Sequence, residues 1–227
     1  MMMVDASPAE LPPLVLLGGS FDPIHHGHLR AALDAARVLG SATVTLLPAG
    51  TPALRDPLRA SSAQRLAMLQ RAIAGEPTLA IDHRELSREG PTYTVETLRE
   101  LRQQWPHRSI IFLLGADAFS RLPRWHEWTS LLDLAHLAVL SRPSEPLHAP
   151  ENAAFAACFE AEAAALTHAA CGRWTAIDVT PLAISASAIR ALIGAGQSPR
   201  YLLPDPVIDY IAQERLYGYP GKPVARA

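Results

Sequence analysis

The stretch Leu17 to His28, "LGGSFDPIHHGH", follows an apolar run and precedes "LRAALDAARVL". Leu14–Gly19 reads as a buried strand, and the segment starting near His26 reads as an amphipathic helix stopped by Gly40. The quoted residues therefore form a strand-to-helix turn. Gly18 and Gly19 let backbone approach a ligand closely and supply N–H groups without side-chain obstruction. Ser20 and Phe21 continue the same turn. The helix points its positive end into that space, which favours an anion. His25 and His28 are three apart and share a face, whereas His26 is turned away. Two imidazoles beside unobstructed N–H groups suit a polyphosphate. A metal site would need a further ligand, and only Asp22 is near enough in sequence. A plain turn with incidental histidines is the bland alternative.

Outward from this turn, short apolar strands alternate with helices. "ATVTLLPAG", "TLAIDHREL", "SIIFLLGAD", "HLAVLSRP" and "RWTAIDVT" carry strand patterns. "SAQRLAMLQRAIAG", "TYTVETLRELRQQW", "ISASAIRALIGAG" and "DPVIDYIAQERLYG" carry helical ones, the first with Ser61 or Ser62 as N-cap. The alanine-rich "NAAFAACFEAEAAALTHAA" is helical by propensity. The expectation is an α/β fold, a doubly wound and mostly parallel sheet with helices on both faces. Binding residues should collect at the carboxyl ends of its strands. A single domain is expected over 14–217, with flexible tails at 1–13 and 218–227. The stretch "SRPSEPLHAPEN" is the best candidate for a mobile loop.

Composition narrows the chemistry. At 227 residues the chain suits one domain, and a formal net charge of −2 argues against a general nucleic-acid grip. Cys158 and Cys171 match neither a metal pattern nor a disulfide framework and are expected to be small buried residues in a reducing cytosol. "LPPLVLLGG" is too short to span a bilayer and lacks signal-peptide flanks, so a cytoplasmic protein without a membrane partner is expected. The only lysine is Lys222; the other 19 basic residues are arginines. A P-loop lysine, a Schiff base and a lysyl-nucleotide intermediate are thus disfavoured. Phosphate must be held by arginine, histidine, hydroxyls and backbone. The fingerprint G-x-G-x-x-G is absent, which disfavours a dinucleotide-dependent dehydrogenase.

"GGSFDPIHHGH" resembles the H-x-G-H signature of the nucleotidyltransferase superfamily, in which both motif histidines, here His25 and His28, contact a triphosphate. A second motif of that family, I-S-S-T-x-I-R, is matched by "ISASAIR" from Ile184 to Arg190, with Ala186 and Ser187 as departures. Ser187 keeps a hydroxyl and Ala186 loses one. Local physics agrees, since Ser185 and Ser187 stand at a helix start and Arg190 adds charge. Alone, "ISASAIR" could be just a capped helix.

Within the superfamily, "GPTYTVETL", "LGADAFSRLPRWHEW" and "LAVLSRP" are similar to bacterial nicotinate-mononucleotide adenylyltransferases, over roughly Leu14 to Tyr217. The resemblance implies a Rossmann-like fold and transfer of AMP from ATP, carried with Mg²⁺, to nicotinate mononucleotide in NAD biosynthesis. It implies His25, His28 and Arg190 as catalytic residues, with Gly18, Gly19, Ser20, Phe21, Ser185 and Ser187 around ATP. Gly115 and Asp117 would hold a ribose, although Asp117 could be only a helix cap. Thr92, Tyr93 and Trp125 would surround the nicotinate; Trp128 reads as packing. One departure is Pro52-Ala53-Leu54-Arg55, where the family usually has Pro-Pro-His followed by a basic residue. Only Arg55 keeps the charge there. Nicotinamide mononucleotide or phosphopantetheine as acceptor, a nucleotide-binding regulator without turnover, and a histidine-based metal protein are the competing readings. Oligomeric state is left open.

Overall fold

The computed structural model describes residues 11–52, 58–142 and 147–219. Six strands form the main sheet: β1 (Leu14–Gly19), β2 (Val44–Pro48), β4 (Leu79–Ile81), β6 (Ile110–Gly115), β7 (His136–Ser141) and β8 (Trp174–Asp178). The two-residue strands β3 (Thr51–Pro52) and β5 (Pro91–Thr92) pair separately. Helices are α1 (His26–Val38), α2 (Ser62–Ala72), α3 (Thr94–Gln104), α4 (Ala116–Ser120), α5 (Leu131–Leu134), α6 (Ala153–Ala156), α7 (Ala186–Gly194) and α8 (Asp205–Gln213).

Alternation along the strands sets the layers. Val15 and Leu17 pack into one cluster with α1, α2, α7 and α8, whereas Leu16 packs into another with α3, α4 and α5. Ile111 and Leu113 against Ile110, Phe112 and Leu114 repeat the division on β6. Both faces are covered, as the apolar strands require. Every pairing in the sheet is parallel, in the order β4-β2-β1-β6-β7-β8. The strand order reverses between β1 and β6, and the carboxyl ends of strands at such a point are where open α/β sheets form their ligand-binding crevice. Leu17 lies opposite Leu113, so Gly19 and Gly115 leave the sheet side by side.

Local signals explain most element ends. Gly40, at φ +60, closes α1 in a Schellman arrangement, with Ser41 N–H on Ala36 O and Gly40 N–H on Arg37 O. Ser61 caps α2 through a full capping box with Gln64. The alanine-rich segment departs from its propensity: beyond α6, only a 3₁₀ stretch, Ala163–His168, is helical. Pairing with the sheet edge overrides it. Trp174 N–H donates to Cys158 O, Glu160 N–H donates to Trp174 O, and Phe159 bridges Trp174, so the chain is drawn out of helix there. Cys158 and Cys171 are free and half-buried, not buried as expected; their thiols reach Ala154 O and Asp133 O. Among the described residues no helix is long and apolar enough to cross a membrane. Of the expected tails, 1–10 and 220–227 lie outside the described residues, as do 143–146 of the expected mobile loop, Arg55 and Lys222.

Candidate active site

The first turn leaves β1 at the switch point. His25 is the N-cap of α1, and its Nδ1 accepts the His28 N–H at 3.3 Å. An occupied Nδ1 places the neutral ring's proton on Nε2. Burial, and then the neighbouring His26, lowers the His25 pKa from 6.5 to about 4. The His25 and His28 rings are stacked with centroids 3.6 Å apart, and the Phe21 ring meets His28 edge-on at 5.1 Å. His26 faces elsewhere, lining a separate cavity of about 380 Å³ with Leu29, Arg30 and Glu76. The shared face of His25 and His28 is thus realised. The glycines differ from expectation in what crowds them: a Cβ on Gly18 would lie 2.5 Å from the Phe112 ring, and one on Gly19 2.9 Å from Phe21. Both are needed for packing beneath the turn. Ser20 offers its carbonyl to Arg65 Nη1 at 2.8 Å.

The second motif arrives from α7. Ser185 is its N-cap, accepting Ala188 N–H at 3.2 Å, and Ser187 Oγ accepts from Arg190 Nη2 at 3.1 Å. Each hydroxyl still has a proton to donate. Arg190 Nη1 donates to the carbonyl of Asp22 at 2.6 Å, so residues 168 apart in sequence meet at the first turn. Arg190 is half-buried and Ser185 and Ser187 are exposed, which leaves polar atoms facing solvent.

Across the crevice, Gly115 caps α4 and has nothing within 4 Å of a built Cβ. Asp117 is exposed in the first turn of α4 and is not its N-cap, so the bland capping reading fails. Trp125 is half-buried, edge-on to Phe112 at 6.3 Å, and Tyr93 tilts over His126 at 4.5 Å. Trp128 packs on Phe155, as expected. Thr92 is only 7% exposed, with its hydroxyl 3.5 Å from Thr51 O. The structure brings His25, His28, Ser187 and Arg190 together, and sets Tyr93 and Trp125 on the opposite face of the sheet.

Three comparisons bear on this arrangement. A cytidylyltransferase-like family model matches residues 16–192. A "Probable nicotinate-nucleotide adenylyltransferase" of Aeromonas salmonicida is 45% identical over 90% of this chain and 97% of its own. One of the same name from Cellvibrio japonicus is 48% identical over 91% and 99%. The chain belongs to the nicotinate-nucleotide adenylyltransferase family. In fold it is similar to a Plasmodium falciparum nicotinic acid mononucleotide adenylyltransferase complexed with NaAD, with TM-score 0.70, 17% identity, and coverage of 93% of this chain and 100% of that one.

Two residues that organise the turn, Arg65 and Tyr217, escaped the sequence reading, and a third, Asp22, entered it only as a candidate metal ligand. Arg65 is fully buried and donates to Ser20 O, Gly50 O at 3.2 Å and Ser62 Oγ. Its spacing was a usable signal, because Arg65 shares a helical face with Met68 and Leu69. Asp22 is 2% exposed and accepts the N–H groups of Arg59 and Ala60 and the Tyr217 hydroxyl. It is therefore spent on structure, which removes it as the further ligand of a histidine metal site. Nothing near Tyr217 in sequence announced its role. Among the described residues no three His, Cys, Asp or Glu side chains converge to hold a metal.

Proposed function

We propose that the protein transfers AMP from ATP to nicotinate mononucleotide, forming deamido-NAD and pyrophosphate. A 5′-phosphate oxygen of the acceptor forms a bond to the α-phosphorus as the bond to the bridging oxygen breaks in line, and pyrophosphate leaves with that electron pair. No nucleotidyl-enzyme is needed, which accords with a chain whose only lysine is Lys222. The observation that carries the reading is the meeting of the stacked His25–His28 pair with Arg190 at one turn.

Positioning two anions and stabilising the charge that grows on the bridging oxygen supply most of the rate. Neutral His25 donates its Nε2–H to a phosphate oxygen. His28, Arg190 and the hydroxyls of Ser185 and Ser187 complete the grip, with Gly18, Gly19, Ser20 and Phe21 shaping its floor. Gly115 leaves room for the ATP ribose, and Asp117 accepts from its hydroxyls. Thr92, Tyr93 and Trp125 take the nicotinate, whose ring can stack on an aromatic face. Arg55, which the sequence places shortly after Pro52, carries a further positive charge for the substrate. Mg²⁺ brought by ATP would offset phosphate charge and would be held mainly by the phosphates, not by a cage of protein carboxylates. Two free thiols, Cys158 and Cys171, suit a reducing compartment, and we place the reaction in the cytoplasm.

The test is pyrophosphate release from Mg·ATP with and without nicotinate mononucleotide. Release that requires both substrates and yields deamido-NAD is expected. Tight ATP binding without turnover would make the protein a nucleotide-responsive regulator instead.

A further inference from the structure

The turn that receives Arg190 is pinned by a residue near the end of the fold. Tyr217 donates its hydroxyl to Asp22 Oδ1 at 2.6 Å, across 195 residues of sequence. The same carboxylate accepts Arg59 N–H at 2.7 Å and Ala60 N–H at 3.1 Å. The carbonyl of Asp22 faces the Arg190 guanidinium. Tyr217 also runs along the helix that carries Arg190, since its carbonyl lies 3.8 Å from where a Cβ on Gly194 would be. Tyr217 thereby touches both segments that hold the phosphate-binding groups, one through its hydroxyl and the other through its backbone.

Two backbone conformations point the same way. Phe21, at φ +47, directly precedes Asp22, and Tyr217 sits at φ +57. Left-handed conformations cost free energy in non-glycine residues and persist where the surroundings impose them, often at functional sites. At Phe21 the result is a ring set edge-on against His28. At Tyr217 it is a hydroxyl delivered to a carboxylate that is almost fully buried. Burial, and then Asp22, pushes the Tyr217 pKa well above the ordinary phenol value, so the hydroxyl remains a donor.

We propose that Tyr217 is a positioning residue for adenylyl transfer, holding the Asp22 carboxylate so that Arg190 stays on the Asp22 carbonyl and aimed at the nucleotide phosphates. The proposal rests on the reading of Arg190 as a phosphate contact. Without the Tyr217 hydroxyl, the Asp22 carboxylate loses one of three donors. Oδ1, left with only the Ala60 N–H, then competes with the triphosphate for the guanidinium. The loss falls on kcat, because guanidinium charge matters most when pyrophosphate departs.

The experiment is a double-mutant cycle in steady-state pyrophosphate release, with Tyr217→Phe, Arg190→Ala and their combination, each checked for folding by thermal unfolding. Tyr217→Phe should lower kcat about tenfold or more, with KM for ATP within about threefold of wild type. In the Arg190→Ala background the same change should cost less than about twofold, since nothing remains to be aimed. A packing role alone predicts a lower unfolding temperature and losses that multiply, and that result overturns the proposal, as does wild-type kcat in Tyr217→Phe. If Arg190→Ala is itself harmless, the phosphate-contact reading is what fails. If Tyr217→Phe does not fold, Tyr217→His, which keeps a ring N–H but moves it off the phenol position, takes its place in the cycle and decides by the same criteria.

Discussion

His25 lies flat against His28, with ring centroids 3.6 Å apart and planes 19° from parallel. The arrangement suits a neutral His25, because burial and the adjacent His26 lower its pKa from 6.5 to about 4. In the unfolded chain the ring takes up a proton near pH 6.5, while the folded state resists it until about pH 4. The stability contributed above pH 6.5 is therefore lost as pH falls toward 4. Between pH 7 and pH 5 the His25 share should be about 2 kcal/mol, measured by urea unfolding. His25→Asn can still cap α1 but cannot titrate, so its loss over that interval should be smaller by that amount. His136, also lowered by burial, contributes with the same sign to both proteins and cancels. Equal slopes for the two proteins would mean that His25 titrates as an ordinary histidine.

Three alanine variants separate the histidines of the turn. His28→Ala and Arg190→Ala should each lose about 10²-fold or more in kcat/KM, the scale of removing one charge-stabilising donor. His26→Ala should lose far less, because its ring lines the cavity with Leu29 and Arg30 and not the crevice. Comparable losses at His26 and His28 would overturn the shared-face geometry.

The fold was legible because its signals are local. Apolar runs such as Ile110–Leu114 and end signals such as Gly40 and Ser61 report strand and helix without reference to distant residues. The two family motifs were legible for the same reason, being contiguous at Gly18–His28 and Ile184–Arg190. What stayed hidden depends on partners far away. The alanine-rich segment obeys the edge of β8 over its own propensity. The spacing of Arg65 with Met68 and Leu69 marks it as inward-facing, but its partners, the carbonyls of Ser20 and Gly50, are distant in sequence. Tyr217 acquires meaning only from a carboxylate 195 positions earlier. Long-range hydrogen bonds leave no periodicity to read.

Gly115 offers a clean test of the ribose position. Its φ of −73 is ordinary for any residue, and a Cβ there meets nothing within 4 Å. Gly115→Ala should leave the unfolding free energy within about 0.5 kcal/mol of wild type, as for a substitution in open space. If a ribose packs against this glycine, KM for ATP should still rise by about tenfold, from steric exclusion worth about 1.4 kcal/mol. An unchanged KM would move the ribose away from the end of β6.

Substrate choice is the sharpest expectation. Nicotinate carries a carboxylate where nicotinamide carries an amide, so a site made of donors favours the acid. Tyr93, the N-cap residue of α3, makes no side-chain capping bond, and Glu96 and Thr97 send their N–H groups to Tyr93 O. The earlier N–H groups of that turn, at the positive end of the helix, are then available to an anion. The Thr92 hydroxyl is held only loosely, 3.5 Å from Thr51 O, and can turn toward a better acceptor. An amide would set its NH₂ against these donors and leave them unmatched. Mismatches of this kind discriminate by orders of magnitude, and kcat/KM for nicotinate mononucleotide should exceed that for nicotinamide mononucleotide by at least about 10²-fold. Initial rates of pyrophosphate release at matched ATP and Mg²⁺ measure the ratio. Thr92→Val should shrink it by about tenfold, the worth of one hydrogen bond to a charged group, mainly by slowing the acid. A ratio near one in the wild type would show that the site reads ring and ribose but not the carboxylate. An unchanged ratio in Thr92→Val would assign the discrimination to the α3 amides alone.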